Sequence, residues 1–198
     1  MKDRASDVDQ RIAARVRELR AQRGLSLEGL ANECGVSRSM ISLVERGETS
    51  PTAALLQKLA TGLGSSLAAL FDRPADDSTP RGPLARRADQ VEWQDPASGY
   101  VRRNVSPPGA PQPMRIVEVL FPPRESVAFE NGGDGARVHQ QVWVLEGSID
   151  VTTGRERHRL KTGDCLAMTL DQPTMFHNPT RTAARYAVVI ASEPRGRR

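Results

Sequence analysis

Arg38, Ser39, Ser42 and Leu43 have the types and the spacing to read a nucleic acid. If Ser37 caps a helix, Met40, Ile41 and Val44 fall at i, i+1 and i+4 on its inner side, and those four face outward. In the major groove a guanidinium pairs with guanine and a leucine covers a thymine methyl group, so such a face is suited to base edges. A helical hairpin with a merely solvated face shows the same alternation, and the elements around the run must decide.

Those elements are legible. Ser26 caps a helix from Leu27 to about Glu33, which buries Leu27, Leu30 and Ala31; Gly35 supplies the turn, Val36 plugs the gap, and Gly47 ends the second helix. A helix over about Asp9 to Arg23 precedes them, with Ile12, Val16 and Leu19 as its stripe and Gly24 as its stop. Ser50-Pro51 signals a fourth helix that packs Leu55, Leu56, Leu59 and Ala60, and a short fifth runs from Ser65 or Ser66 to near Phe71.

From about Gln10 to Phe71 the sequence resembles the lambda-repressor-like, xenobiotic-response-element type helix-turn-helix family, through its LSLxxLA, GVSRSxIS, ERGxxSP and LxKLAxxL blocks. The resemblance implies a five-helix DNA-binding domain and a structural ion pair between Arg20 and Glu45. It implies base reading by Arg38, Ser39, Ser42 and Leu43, and phosphate contacts from Ser26, Ser37 and Arg46. Leu43 departs from the longer polar side chain usual at its position.

The 198 residues, 38% of them hydrophobic, allow one large or two small domains with packed cores. The net charge of +4 is spread evenly, so basicity alone does not locate a nucleic-acid face. Cys34 and Cys165 are the only cysteines and lack zinc-site spacing, as expected in a reducing cytoplasm. The charged N-terminus has no apolar core and no run reaches about 18 apolar residues, which argues against export and membrane insertion.

The proline-rich stretch RPADDSTPRGPLA marks a linker over 73–87, between a domain at 9–72 and another at 88–194. Beyond it the period becomes strand-like in VEW, YVRRNV, MRIVEVLF, VHQQVWVLEG, SIDVTT, RHRLKTGD and ARYAVVIA, which predicts a jelly-roll sandwich or barrel. QQVWVLEGSIDV and LKTGDCLAMTLDQPTMFHN resemble the two conserved blocks of the cupin family, across roughly Met114 to Ser192. The fold class expected is therefore multidomain α + β, with a C-terminal double-stranded β-helix.

Metal-binding cupins place histidines and a carboxylate at positions that fall here on Asp134, Ala136, Gln140 and Thr174. None is histidine, and strand alternation turns His139 and His177 away from those positions, so neither metal nor other cofactor is expected. The interior instead suits an organic effector: Gln140 and Thr174 for hydrogen bonds, Asp134 and Arg115 for a charged group, and Val142, Met168 and Phe176 as apolar wall. The expected protein is a cytoplasmic homodimeric transcriptional regulator, not an enzyme, that reads a pseudo-palindromic operator in double-stranded DNA and senses a small molecule. The rival readings are a metal-dependent cupin oxygenase fused to a helix-turn-helix, and a dimeric repressor without effector.

Overall fold

The computed structural model describes residues 2–72, 82–108, 114–131 and 138–192. Asp134, Ala136 and most of the expected linker, residues 73–81, lie outside the described residues.

The helical half begins with α1, Lys2–Gln22, α2, Leu27–Cys34, and α3, Arg38–Arg46. Helix α1 starts before the expected Asp9 because no glycine or proline precedes it, and Val8 extends the buried stripe of Ile12 and Val16 by one turn. Ser26 and Ser37 cap α2 and α3 by accepting hydrogen bonds from the Gly29 and Met40 amides. Gly35 and Gly47 close the same helices in the left-handed region at φ 63° and 68°. Helix α4, Ala53–Gly62, is capped by Thr52, so the expected start at Ser50-Pro51 is displaced. The Ser50 hydroxyl instead donates to Asp9 of α1.

The fifth helical element is a five-residue 3₁₀ turn, Leu67–Phe71, capped by Ser66, rather than an α-helix. The segment is barely longer than one α-turn, and i→i+3 bonding closes it before Asp72 extends away. Ile12, Val16, Leu30, Ile41, Leu56, Leu59 and Leu70 form the core of this half. None of the described helices is long and apolar enough to cross a membrane.

The second half is a sandwich of ten antiparallel strands: β1 Glu92–Gln94, β2 Val101–Asn104, β3 Met114–Phe121, β4 Ser126–Phe129, β5 Val138–Glu146, β6 Ser148–Thr153, β7 Glu156–Lys161, β8 Cys165–Thr169, β9 Thr174–His177 and β10 Ala184–Ser192. One sheet has the order β1-β2-β3-β10-β5-β8 and the other β4-β9-β6-β7. These facing sheets have the jelly-roll architecture that the cupin resemblance implies. The sequence patterning located seven of the strands and missed β4, β8 and β9, whose short segments show weak alternation of burial in β8 and only four residues each in β4 and β9. The inner faces pack Val117, Val119, Phe121, Val142, Val144, Ile149, Val151 and Val188. The outer face of the larger sheet leaves Met114, Ile116, Leu120 and Trp143 exposed.

The two halves are bolted together at named points. Asp95, 2% exposed and just beyond β1, accepts the Ala53 amide of α4 at 2.8 Å, so the sandwich supplies an anion to the N-terminus of a helix in the other half. Arg115 pairs with Asp72, Lys58 pairs with Glu130 at 2.9 Å, and the rings of Phe71 and Trp93 meet at 5.6 Å between centroids.

Candidate nucleic-acid interface and a cavity at the domain seam

Helix α3 carries the candidate DNA-reading face. Its inner side buries Ile41, Val44 and Glu45, and the Glu45 carboxylate is held at two points by Arg20, Nε at 2.6 Å and Nη2 at 2.8 Å. Arg20 also donates to the Leu25 carbonyl, and Arg17 to the Glu45 carbonyl, so α1 fixes both ends of the helix-turn-helix. On the opposite side Arg38 and Ser39 are exposed, while Ser42 and Leu43 are half-buried. Ser26, Ser37 and Arg46 are exposed as well, at the rims of the same surface. The Arg46 guanidinium is already engaged by Glu48, through Nε at 2.8 Å and Nη2 at 2.7 Å, and by the Ser42 hydroxyl at 2.6 Å. A phosphate would compete there with a carboxylate, a restraint that the sequence reading missed.

The candidate effector site lies where the sandwich meets the helical half. A cavity of about 110 Å³ is lined on one side by Tyr100, Arg102, Phe129, Asn131, Gln140, Thr174, Phe176 and Tyr186 of the strands and loops. Gln57 and Thr61 of α4, with Ser65, Ser66 and Leu67 leading into the 3₁₀ turn, line the other. The helical half is thus one wall of the cavity. Of the residues expected in the pocket, Gln140, Thr174 and Phe176 stand together on its lining. Arg115 is spent on Asp72, Val142 is fully buried in the sheet interior, and Met168 accepts the Thr153 hydroxyl at 3.5 Å; none of the three is on the cavity lining.

Arg102 was not foreseen. It pairs in register with Val119 and so faces inward, whereas its neighbour Arg103 pairs with Glu118 outside and joins that carboxylate. Two consecutive arginines in one strand must put one on each face, and that signal was present in the sequence. Arg102 is 6% exposed, and its Nε and Nη2 have no hydrogen-bond partner among the described residues. Its guanidinium carbon lies 5.3 Å from the centroid of the Phe71 ring, which lends a cation–π contact but no counter-charge. Burial pushes its pKa down, and burial raises those of the Tyr100 and Tyr186 phenols, which stay protonated.

A second polar group is aimed inward beside it. Thr174 Oγ1 donates to the Gln172 carbonyl at 3.2 Å and so receives the Asn131 Nδ2 amide hydrogen at 2.8 Å. That arrangement leaves Asn131 Oδ1 buried and without a donor among the described residues.

A divalent metal fits this donor set poorly. Gln140 and Thr174 present an amide and a hydroxyl, and the buried Arg102 cation repels a dication in the same cavity. His139 faces the outer side of β5 opposite Ala191 and Thr169, His177 shares a hydrogen bond with Ser126 at 2.8 Å, and His158 sits beside Glu156 at 3.6 Å.

Aromatic rings connect the reading half to the cavity. Phe71 meets Trp93, Trp93 meets Tyr100 at 5.9 Å, and Tyr100 stacks on Phe121 at 5.7 Å. The string continues through Tyr186 to Phe176 at 5.9 Å and ends on Phe129. Of the four phenylalanines, two tyrosines and two tryptophans in the chain, Trp143 alone stands outside it.

Residues 16–70 match the helix-turn-helix family HTH_3. The chain is 28% identical over 180 residues to the HTH-type transcriptional regulator SutR of Escherichia coli, covering 84% of this chain and 86% of that one. It is 26% identical to the HTH-type transcriptional regulator PuuR of Escherichia coli, over 91% and 93% of the two chains. A solved HTH_3 family transcriptional regulator from Vibrio cholerae, 29% identical, superposes with a TM-score of 0.75 over 96% of this chain and 99% of that one. The likeness to that structure spans both halves, not the helical domain alone.

Proposed function

We propose that this chain, in which an HTH_3 helix-turn-helix domain precedes a cupin-like sandwich, is a sequence-specific transcriptional regulator whose sandwich senses a small organic effector without a metal. The observation that carries the reading is the shared cavity: an occupant would touch α4 and the 3₁₀ turn of the DNA-reading half and the strands of the other half at once. Such an occupant can favour one placement of the reading head over another, and DNA must then alter effector affinity by the same factor. A catalytic cupin needs open coordination positions on a metal held by histidines and carboxylates, and the described donors facing this cavity are not of that kind.

In this reading the chain acts as a homodimer. Met114, Ile116, Leu120 and Trp143 on the outer face of the larger sheet, with Ala187 and Val189 between them in register, form an apolar surface suited to a second copy. Two recognition helices would then address half-sites about one helical turn apart. Selection of bound duplexes from a random library tests this directly. Enrichment of a pseudo-palindrome with that spacing is expected, and recovery of no preferred sequence refutes specific recognition.

A further inference from the structure

Among the described residues, the seam cavity has one charge and one orphaned acceptor, and together they point to the molecule that belongs in it. Arg102 is a buried cation with two donors that lack a partner among the described residues. Among the described residues, no carboxylate stands on the lining to neutralise it. A planar guanidinium with two free N–H groups is matched by a planar anion that accepts at two points. A single positive charge calls for a single negative one; a phosphate dianion would leave an excess charge in an apolar enclosure. Asn131 Oδ1 needs a donor, and a hydroxyl can provide it without adding charge. A zwitterionic amino acid could pair its carboxylate with Arg102 but would leave its own ammonium without a counter-charge among the described lining residues. The remaining walls, Phe176, Val188, Ile190 and Leu67, accept a short aliphatic chain.

We infer that the ligand of the seam cavity is a small hydroxycarboxylate, its carboxylate paired with Arg102 and its hydroxyl donating to Asn131 Oδ1. This rests on the reading of the cavity as the effector site and adds to it the chemical class. The contact has a built-in readout: the guanidinium that takes the carboxylate is the one that lies against Phe71 of the helical half, so occupancy is felt at the domain seam.

The test uses the full chain in thermal-shift and calorimetric titrations at millimolar concentration, with glycolate, lactate and glycerate as the positive panel. Methyl lactate, propionate, alanine, ethanolamine and inorganic phosphate are the comparisons. Stabilisation by at least one hydroxycarboxylate is expected, absent for methyl lactate and weaker by about fivefold to tenfold for propionate when the missing hydroxyl costs one hydrogen bond. The ester probes the Arg102 contact without altering the protein. In Asn131→Ala the preference for lactate over propionate should vanish while carboxylate binding persists. Failure of all three hydroxycarboxylates, equal binding of the ester, or binding of phosphate or ethanolamine in their place overturns the assignment. Operator affinity measured with and without the stabilising compound separates the two readings: binding through Arg102 that leaves DNA affinity unchanged sustains the chemical class and refutes the effector role.

Discussion

Replacing Asp95 by alanine should loosen the two halves from each other before it unfolds either. The Asp95 carboxylate accepts three hydrogen bonds at 2% exposure: Ala53 N at 2.8 Å, Ser98 N at 2.9 Å and Ser98 Oγ at 2.6 Å. The Ser98 hydroxyl can rotate to another acceptor, but the two amides cannot. Each buried donor left unsatisfied costs about 1–3 kcal/mol, and loss of the anion at the start of α4 adds about 0.3–1 kcal/mol. Partial entry of water offsets some of that, so a loss of about 3 kcal/mol is expected. Asp95→Asn should cost less, because its carbonyl can still receive Ala53 N while its amide meets the Ser98 amide donor to donor. Urea unfolding followed by circular dichroism in the helical and sheet regions is the assay. In the parent the two signals should report one transition; in Asp95→Ala the helical transition should move ahead of the other. Coincident transitions with a total loss under about 0.5 kcal/mol would refute the role assigned to this carboxylate.

On the DNA face, Arg38→Ala should relax preference at one base pair and cost roughly 1–3 kcal/mol, read in a binding-site selection; an unchanged site profile contradicts its place in the groove. Arg46→Ala should weaken all duplexes alike and reduce the salt slope by about 1, whereas Glu48→Gln, which frees the Arg46 guanidinium from its partner, should tighten all of them. Trp143→Glu should leave the fold intact and yield monomers in sedimentation, and a persistent dimer would move the interface elsewhere. Asp150, 1% exposed, is held below the usual carboxylate range by Arg159 and then by Arg157. Its stabilising contribution is present above the unfolded value of about 3.9 and is lost as pH falls through the lower folded one. Acid titration of stability should therefore flatten below about pH 4 in Asp150→Asn, and an unchanged profile would show that the two arginines do not stabilise the ionised form.

The helix-turn-helix was legible because its signals are local. Ser26 and Ser37 cap, Gly35 and Gly47 terminate, and a 3.6-residue stripe runs between them, all within a few residues of one another. The long strands β3, β5 and β10 were equally plain, since each alternates over eight or nine residues. Strands β4 and β9 take their identity from each other, Val127 facing Phe176 across the pair, and a long-range pairing leaves little trace in four residues. The cavity was half legible for the same reason. Gln140 and Thr174 followed from family register, but Arg115 alternates inward at the rim, where Asp72 of the other half captures it. No local pattern foretells that α4 closes the sandwich, or that Asn131 reaches Thr174 from a loop. The tightly coupled points of the molecule are the ones where distant segments meet.

The string of rings has an optical consequence. Trp93 sits between Phe71 and Tyr100 at the seam, while Trp143 stands exposed on the outer face of the other side of the sheet. The chain therefore holds two native fluorophores that look at different events. With Trp143 changed to phenylalanine, the remaining indole emission tracks the seam and collects energy from the Tyr100 and Tyr186 phenols nearby, independent of protein concentration. With Trp93 changed instead, emission from Trp143 reports on its exposed outer face, and under the proposed pairing of two copies it should shift on dilution. Domain docking and the proposed pairing of chains would thus give separate signals in solution, without any added label.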